Sequence, residues 1–161
     1  MRYLILCLFL ISCANKQQVL NSNFSSVKNN KTGILLTIDL KTDGKIKRGK
    51  SCQLYITKDS KRFAIPLKEG AFNYALPLGA GEARFEELNC GPFYYYKLTD
   101  KGAYFTITPG EITYLGTLDF ELEEKGEMTW GPNTKSARLL EGHLGEMGLT
   151  SEDVVIKPLN L

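Results

Sequence analysis

Histidine is nearly absent from this 161-residue chain, and His143 is the only one. A Ser-His-Asp or Cys-His catalytic constellation would have to be built around it. Its place beside Gly142, on a stretch of weak helical character, fits an exposed structural side chain better. A zinc site is short of ligands for the same reason. Charge of one sign is not in excess: 20 Lys and Arg face 18 Asp and Glu, a formal net charge of +2. No large basic field therefore recommends nucleic acid as a partner. No segment has the roughly 20 consecutive apolar residues that a membrane-spanning helix needs. Tryptophan occurs once, as Trp130, and cysteine four times.

What is present begins with residues 1–12, which have the parts of an export signal. Arg2 is the positive charge, Leu4 to Ile11 the short apolar run, and Ser12 the small residue before a cut. Leu10-Ile11-Ser12-Cys13 resembles the lipobox of bacterial lipoproteins. That resemblance implies that the Cys13 thiol carries diacylglycerol and that the amine freed by cleavage is acylated too. Each buried CH₂ contributes roughly 0.8 kcal/mol, so one chain anchors marginally while two or three make release slow. It also implies a membrane partner through the lipid anchor and a place in the bacterial cell envelope. Ala14, where no Asp stands, points to the outer membrane in bacteria that sort on that position.

Cys7 would leave with the signal and Cys13 would be lipidated, so Cys52 and Cys90 remain as a lone pair. In an oxidising compartment their default state is a disulfide.

Residues 13–32 are rich in Asn, Ser, Lys and Gln and read as a flexible lipidated tether. Ser25-Ser26-Val27-Lys28 and Lys31-Thr32-Gly33 match motifs of penicillin-binding proteins, but they lie side by side in a polar stretch and are discarded. Residues 33–161 read as one domain. Ile34, Leu36, Ile38 and Leu40 alternate with Leu35, Thr37 and Asp39, which predicts a strand with one buried face. Cys52, Leu54 and Ile56 share the next inward face. The alternation slips at Glu86-Glu87, which predicts a bulge. Phe93 to Leu98 and Ala103 to Thr108 flank Thr99-Asp100-Lys101-Gly102 and predict a hairpin. Ile112, Tyr114, Leu118, Phe120 and Leu122 are placed on one face of a long strand, opposite Thr113, Thr117, Asp119 and Glu121. Ala137, Leu140, Leu144 and Met147 have helical spacing, and Val154 to Ile156 form a final edge strand. The predicted fold is an all-β antiparallel sandwich with one short C-terminal helix.

Two stretches carry a further resemblance. Leu76-Pro77-Leu78-Gly79-Ala80-Gly81-Glu82, with Cys90 following, resembles a strand-turn-strand of small bacterial lipoproteins with a prealbumin-like sandwich. Phe105 to Gly116 resembles their late hairpin, with its Pro109-Gly110 turn and Tyr114-x-Gly116. With the lipobox, the similarity touches about half the chain. It implies an architecture of prealbumin or immunoglobulin type and no catalytic motif.

Candidate sites are few. Glu86 and Glu87 can line one cleft only if the bulge turns both to one side, while Glu121, Glu123 and Glu124 read as solvated. Phe93, Tyr94, Tyr95 and Tyr96 run consecutively, so their strand offers rings to both faces. Burial of both faces under the terminal helix is the expectation, with Trp130 sealing the helix to the sheet. Exposed rings would instead make Tyr94, Tyr95, Tyr96 and Trp130 a binding platform. Lys41, Lys45, Lys47, Arg48 and Lys50 form a basic loop that could meet lipid phosphates, although a solvated loop is the commoner meaning of such a run. No cofactor or metal is expected. The reading that results is a non-enzymatic envelope lipoprotein acting as a structural or protein-interaction module. A glycan- or small-ligand-binding module is the alternative, and a hydrolase is disfavoured.

Overall fold

The computed structural model describes residues 18–42, 52–92, 94–98, 103–122, 127–133, 144–145, 147–157 and 159. In chain order they form β1 (Gln18–Val19), α1 (Phe24–Asn30), β2 (Gly33–Lys41), β3 (Cys52–Lys58), β4 (Lys61–Leu67), β5 (Gly70–Leu76), β6 (Gly81–Asn89), β7 (Tyr95–Lys97), β8 (Tyr104–Ile107), β9 (Ile112–Leu122), β10 (Met128–Asn133) and β11 (Val154–Ile156). A 3₁₀ turn at Ser151–Asp153 precedes β11.

These strands make two packed sheets, the expected all-β sandwich. One runs β1-β4-β3-β6-β7, with β8 also on β6; the other runs β10-β9-β2-β5, with β11 also on β9. Neighbours are mostly antiparallel, but β2 and β9 pair in parallel at the centre of the second sheet. The alternation that predicted β2 is realised there: Ile34, Leu36, Ile38 and Leu40 are buried between the sheets, with Leu54, Ile56, Ile65, Phe85, Leu118 and Phe120. Fully burying each such side chain stabilises by roughly 1.5–3 kcal/mol before chain entropy is subtracted.

The Cys52–Cys90 disulfide is present, with the two Cα atoms 4.0 Å apart. Gln53 pairs with Asn89 across β3 and β6, which makes the cysteines cross-strand neighbours at the ends of the same antiparallel ladder.

Several expectations are corrected. Residues 18–32, read as part of a tether, pack on the domain. β1 pairs with β4, and α1 lies over the second sheet with Val27 buried. The Asn23 side chain caps the helix by accepting from the Ser26 N–H at 2.8 Å. Polar composition hid a helix held by one apolar contact and an Asn cap, and ended by a left-handed turn at Lys31. Residues 93–108 are not a hairpin. β7 and β8 follow one another along the same edge of β6, both antiparallel to it. Phe105 to Gly116 is not a hairpin either, because its Pro109-Gly110 turn carries the chain from β8 in one sheet to β9 in the other. In β9 the single inward face fails at Gly116, whose φ is +92°. The β2 pairing slips there, so Ile112 and Tyr114 point outward. They form a second apolar cluster with Val27, Leu35, Ala75, Leu144 and Val154. Leu144 of the predicted C-terminal helix thus packs on the sheet, whereas Ala137, Leu140 and His143 lie outside the described residues.

The sandwich has two distinct ends. One carries the β3–β4 turn at 59–60, the crossing at 77–80 and the crossing at 108–111; it is called the crossing end below. The other, the disulfide end, carries Cys52, Cys90 and the β4–β5 connection at 68–69.

Candidate interaction face

The outer face of the first sheet brings together residues from five strands. On β3 the outward set is Gln53, Tyr55 and Thr57, because Leu54 and Ile56 point into the core. β4 adds Arg62. β6 adds both Glu86 and Glu87, which alternation alone would place on opposite sides. The pairing explains this: Tyr55 opposes Glu87, Ile56 opposes Phe85, and the ladder slips between them. Glu86 is the extra residue of the bulge predicted from sequence. The bulge also coincides with the break in the β6 edge, where Leu98 N–H donates to the Glu86 carbonyl at 2.8 Å and Phe85 N–H to the Ala103 carbonyl at 3.0 Å.

Arg62 is the hub of the face. Its guanidinium carbon lies 3.9 Å from the centre of the Tyr55 ring, its Nε is 3.2 Å from Glu86, and its Nη2 pairs with Glu87. Thr57 Oγ1 donates to Glu86 at 2.7 Å, and Tyr95 Oη donates to Glu87 at 2.6 Å. The Glu87 carboxylate accepting that proton holds the Tyr95 phenol above its ordinary range. Glu87 is almost wholly buried, which a carboxylate tolerates only with such partners. Both carboxylates are therefore committed to Arg62 and hydroxyls, and this arrangement offers no free acid–base pair.

The aromatic run divides as its strand geometry requires. Tyr94 and Tyr96 are half-buried against the core, and burial raises the Tyr96 phenol. Tyr95 points outward and is 51% exposed. The expectation that both faces are covered is thereby corrected: β7 is an edge strand of three residues, not a central one. Tyr104 of β8, which sequence reasoning did not single out, is 58% exposed on the same face opposite Arg84. Its signal was present in the alternation with Phe105 and Ile107, both buried.

Trp130 is elsewhere. It stacks on Phe120, with ring centroids 6.0 Å apart, at the edge of the core. It also lines a cavity of about 330 Å³ on the second sheet with Lys41, Asp119, Glu121, Thr129 and Asn133. Asn133 Nδ2 donates to Asp119 Oδ2 at 2.7 Å, while Asp119 Oδ1 is buried without a hydrogen-bond partner. Lys41 is the one member of the basic run among the described residues; Lys45, Lys47, Arg48 and Lys50 lie outside them, as does Cys13. Among the described residues no three His, Cys, Asp or Glu side chains are placed to share a metal ion, and no helix is long and apolar enough to cross a membrane.

No protein-family model, no curated protein and no solved structure matches this chain.

Proposed function

We propose that the protein is a lipid-anchored module of the bacterial envelope that acts by binding another envelope protein, and that the outer face around Arg62 is where it binds. The observation that carries this reading is the pair of rings left in solvent, Tyr95 and Tyr104, on the same sheet face as a guanidinium held in place by Tyr55, Glu86 and Glu87. Tyr and Arg are the residues that most often dominate protein interfaces, and a pre-ordered Arg loses little entropy on docking. The anchor is supported by the lipobox ending at Cys13. Fatty-acid labelling should mark the wild-type chain and leave Cys13→Ser unmarked and released from membranes; equal label on both would refute the anchor.

The face is tested by Tyr95→Ala with Tyr104→Ala. Tyr104 is largely in solvent, so its loss should change stability by about 1 kcal/mol or less, while loss of Tyr95 also removes a hydrogen bond to the buried Glu87 and should cost roughly 1–3 kcal/mol. Crosslinking in cells should capture the partner with the wild-type chain and at least tenfold less with the double variant, if each ring contributes about 1 kcal/mol or more to binding. Capture undiminished in a folded double variant would remove this face from the interface.

A second reading, binding of a glycan or another small polar ligand, is favoured by the cavity beside Trp130, where Asp119 Oδ1 stands unpaired. Trp130 is the only tryptophan, so its emission reports on that cavity alone. Titration with envelope oligosaccharides should shift the emission if this reading holds, and an unchanged spectrum at millimolar ligand would end it.

A further inference from the structure

We infer that the crossing end of the sandwich is the surface that meets the phospholipid headgroups, and that the disulfide end points away from the bilayer. This rests on the reading of Cys13 as the acylated residue.

The direction comes from β1. It pairs with β4 in parallel, Gln18 beside Phe63 and Val19 beside Ala64, and β4 runs away from the turn at Asp59 and Ser60. The chain therefore enters β1 from the crossing end. Leu20 N–H donates to the Ala64 carbonyl at 2.9 Å and Asn23 N–H to the Ala75 carbonyl at 2.8 Å, so the segment after β1 is tied to both sheets.

The reach comes from chain length. Gln18 stands five positions after Cys13, and five residues span at most about 17 Å when fully extended. A tether running to residue 32 would have spanned roughly 65 Å and left every orientation open. With the disulfide end toward the bilayer, Gln18 would stand above the strand from Phe63 to Leu67, roughly 13 Å at the usual rise. The connection at 68–69 would lie below that. The chain would also leave β1 pointing away from the lipid and have to reverse. A linker of this length does not cover that path.

Charge does not set the orientation. Lys28, Lys31 and Lys61 are exposed at the crossing end, but Asp59, Glu152 and Asp153 are exposed there too. Lys28, Lys31, Glu152 and Asp153 share one cleft of about 510 Å³. The balance leaves little net attraction to an anionic leaflet, and the short anchored strand does the orienting. Lys41 lies at the disulfide end, eight residues along β2 from Gly33, roughly 26 Å at the usual rise. Lys41 is thus held away from its own membrane.

The test uses the full lipidated chain, purified from membranes and reconstituted into vesicles of phosphatidylethanolamine and phosphatidylglycerol containing a nickel-chelating lipid. Nitroxide labels are placed at Ala80→Cys, an exposed residue of the crossing at 77–80, and at Lys68→Cys, exposed at the disulfide end. Headgroup nickel should relax the label at 80 several-fold more than the label at 68. A flexible insert of about 20 Gly and Ser residues after Asn15 should erase that difference, because the coil then reaches roughly 25 Å or more. Equal relaxation of the two labels with the native linker, or stronger relaxation at 68, would overturn the inference, as would a difference that survives the insert. Mass spectrometry of the N-terminal peptide separates the two levels. Acylated Cys13 with equal relaxation removes the orientation alone, while Cys13 without acyl chains removes the anchor and the orientation together.

Discussion

A chain with Cys52→Ala and Cys90→Ala is expected to lose roughly 3–4 kcal/mol of stability, the entropy of closing a loop of this length in the unfolded state. The two cysteines are 38 residues apart, and the loop they close contains β3, β4, β5 and β6. Because β5 belongs to the other sheet, the bridge restrains an excursion that leaves one sheet and returns to it. The native contacts do not depend on the bond, since β3 and β6 keep their ladder from Gln53–Asn89 onward. Most of the cost therefore falls on the unfolded ensemble. For a domain of this size the loss corresponds to a melting temperature lower by roughly 10–15 °C. Calorimetry of the oxidised protein and the double variant measures it. A difference below about 3 °C would mean that the bridge adds little to a ladder already strong enough alone.

This bridge was legible without any structure, because only two cysteines remain once one is assigned to the signal and one to the anchor. The strands of the core were legible for a similar reason: alternation at period two has few meanings over nine residues such as Gly33–Lys41. What could not be read is where the chain goes between strands. Gly79-Ala80 and Pro109-Gly110 have turn chemistry whether the chain returns beside itself or crosses to the facing sheet, and both cross. The Gly116 bulge was hidden by arithmetic. Ile112, Tyr114, Leu118 and Phe120 are all even-numbered, so a regular strand and a bulged one fit the same apolar positions. Only the covering cluster around Val27 and Val154 shows that Ile112 and Tyr114 face outward. α1 lay below the threshold of pattern reading, with one buried residue in a polar helix of seven.

The candidate face was half legible. The slip at Glu86-Glu87 predicted the bulge, and the bulge was the stated condition for both carboxylates to face one side. Arg62 was not foreseen. Nothing in Lys61-Arg62-Phe63 distinguishes a hub from an ordinary outward cation until β4 is known to lie next to β3, and β3 next to β6. Tyr95 was named within the aromatic run, but its exposure depends on β7 being a short edge strand, a property of the sheet order and not of the run itself.

Removing one residue from β6 should have opposite consequences at two adjoining positions. Deleting Glu86 takes out the extra residue of the bulge. Phe85 would still oppose Ile56 on the inward face, Glu87 would still oppose Tyr55 outside, and Leu88 would remain inside. The loss is limited to the Thr57 hydrogen bond, one arm of the Arg62 pair and the backbone bond from Leu98, about 1–3 kcal/mol in all. Deleting Arg84 shortens the strand where it is regular. If the ladder holds from Glu87 onward, either Ala83 moves to the outer face, or the bulge is absorbed and Glu86 is driven into the core while Phe85 leaves it. Turning out Phe85, fully buried in the native fold, forfeits roughly 3 kcal/mol. Burying Glu86 unpaired costs several more. Together these approach the whole stability of a typical domain, about 5–15 kcal/mol. A shift of one residue flips every side chain upstream of it. The chain lacking Glu86 should therefore melt cooperatively somewhat below the wild type, and the chain lacking Arg84 well below that, by whichever of the two courses costs less. Circular dichroism melts of both proteins decide the matter: similar behaviour of the two deletions, or a chain lacking Arg84 that is the more stable of the two, would show that β6 does not hold its register through this bulge.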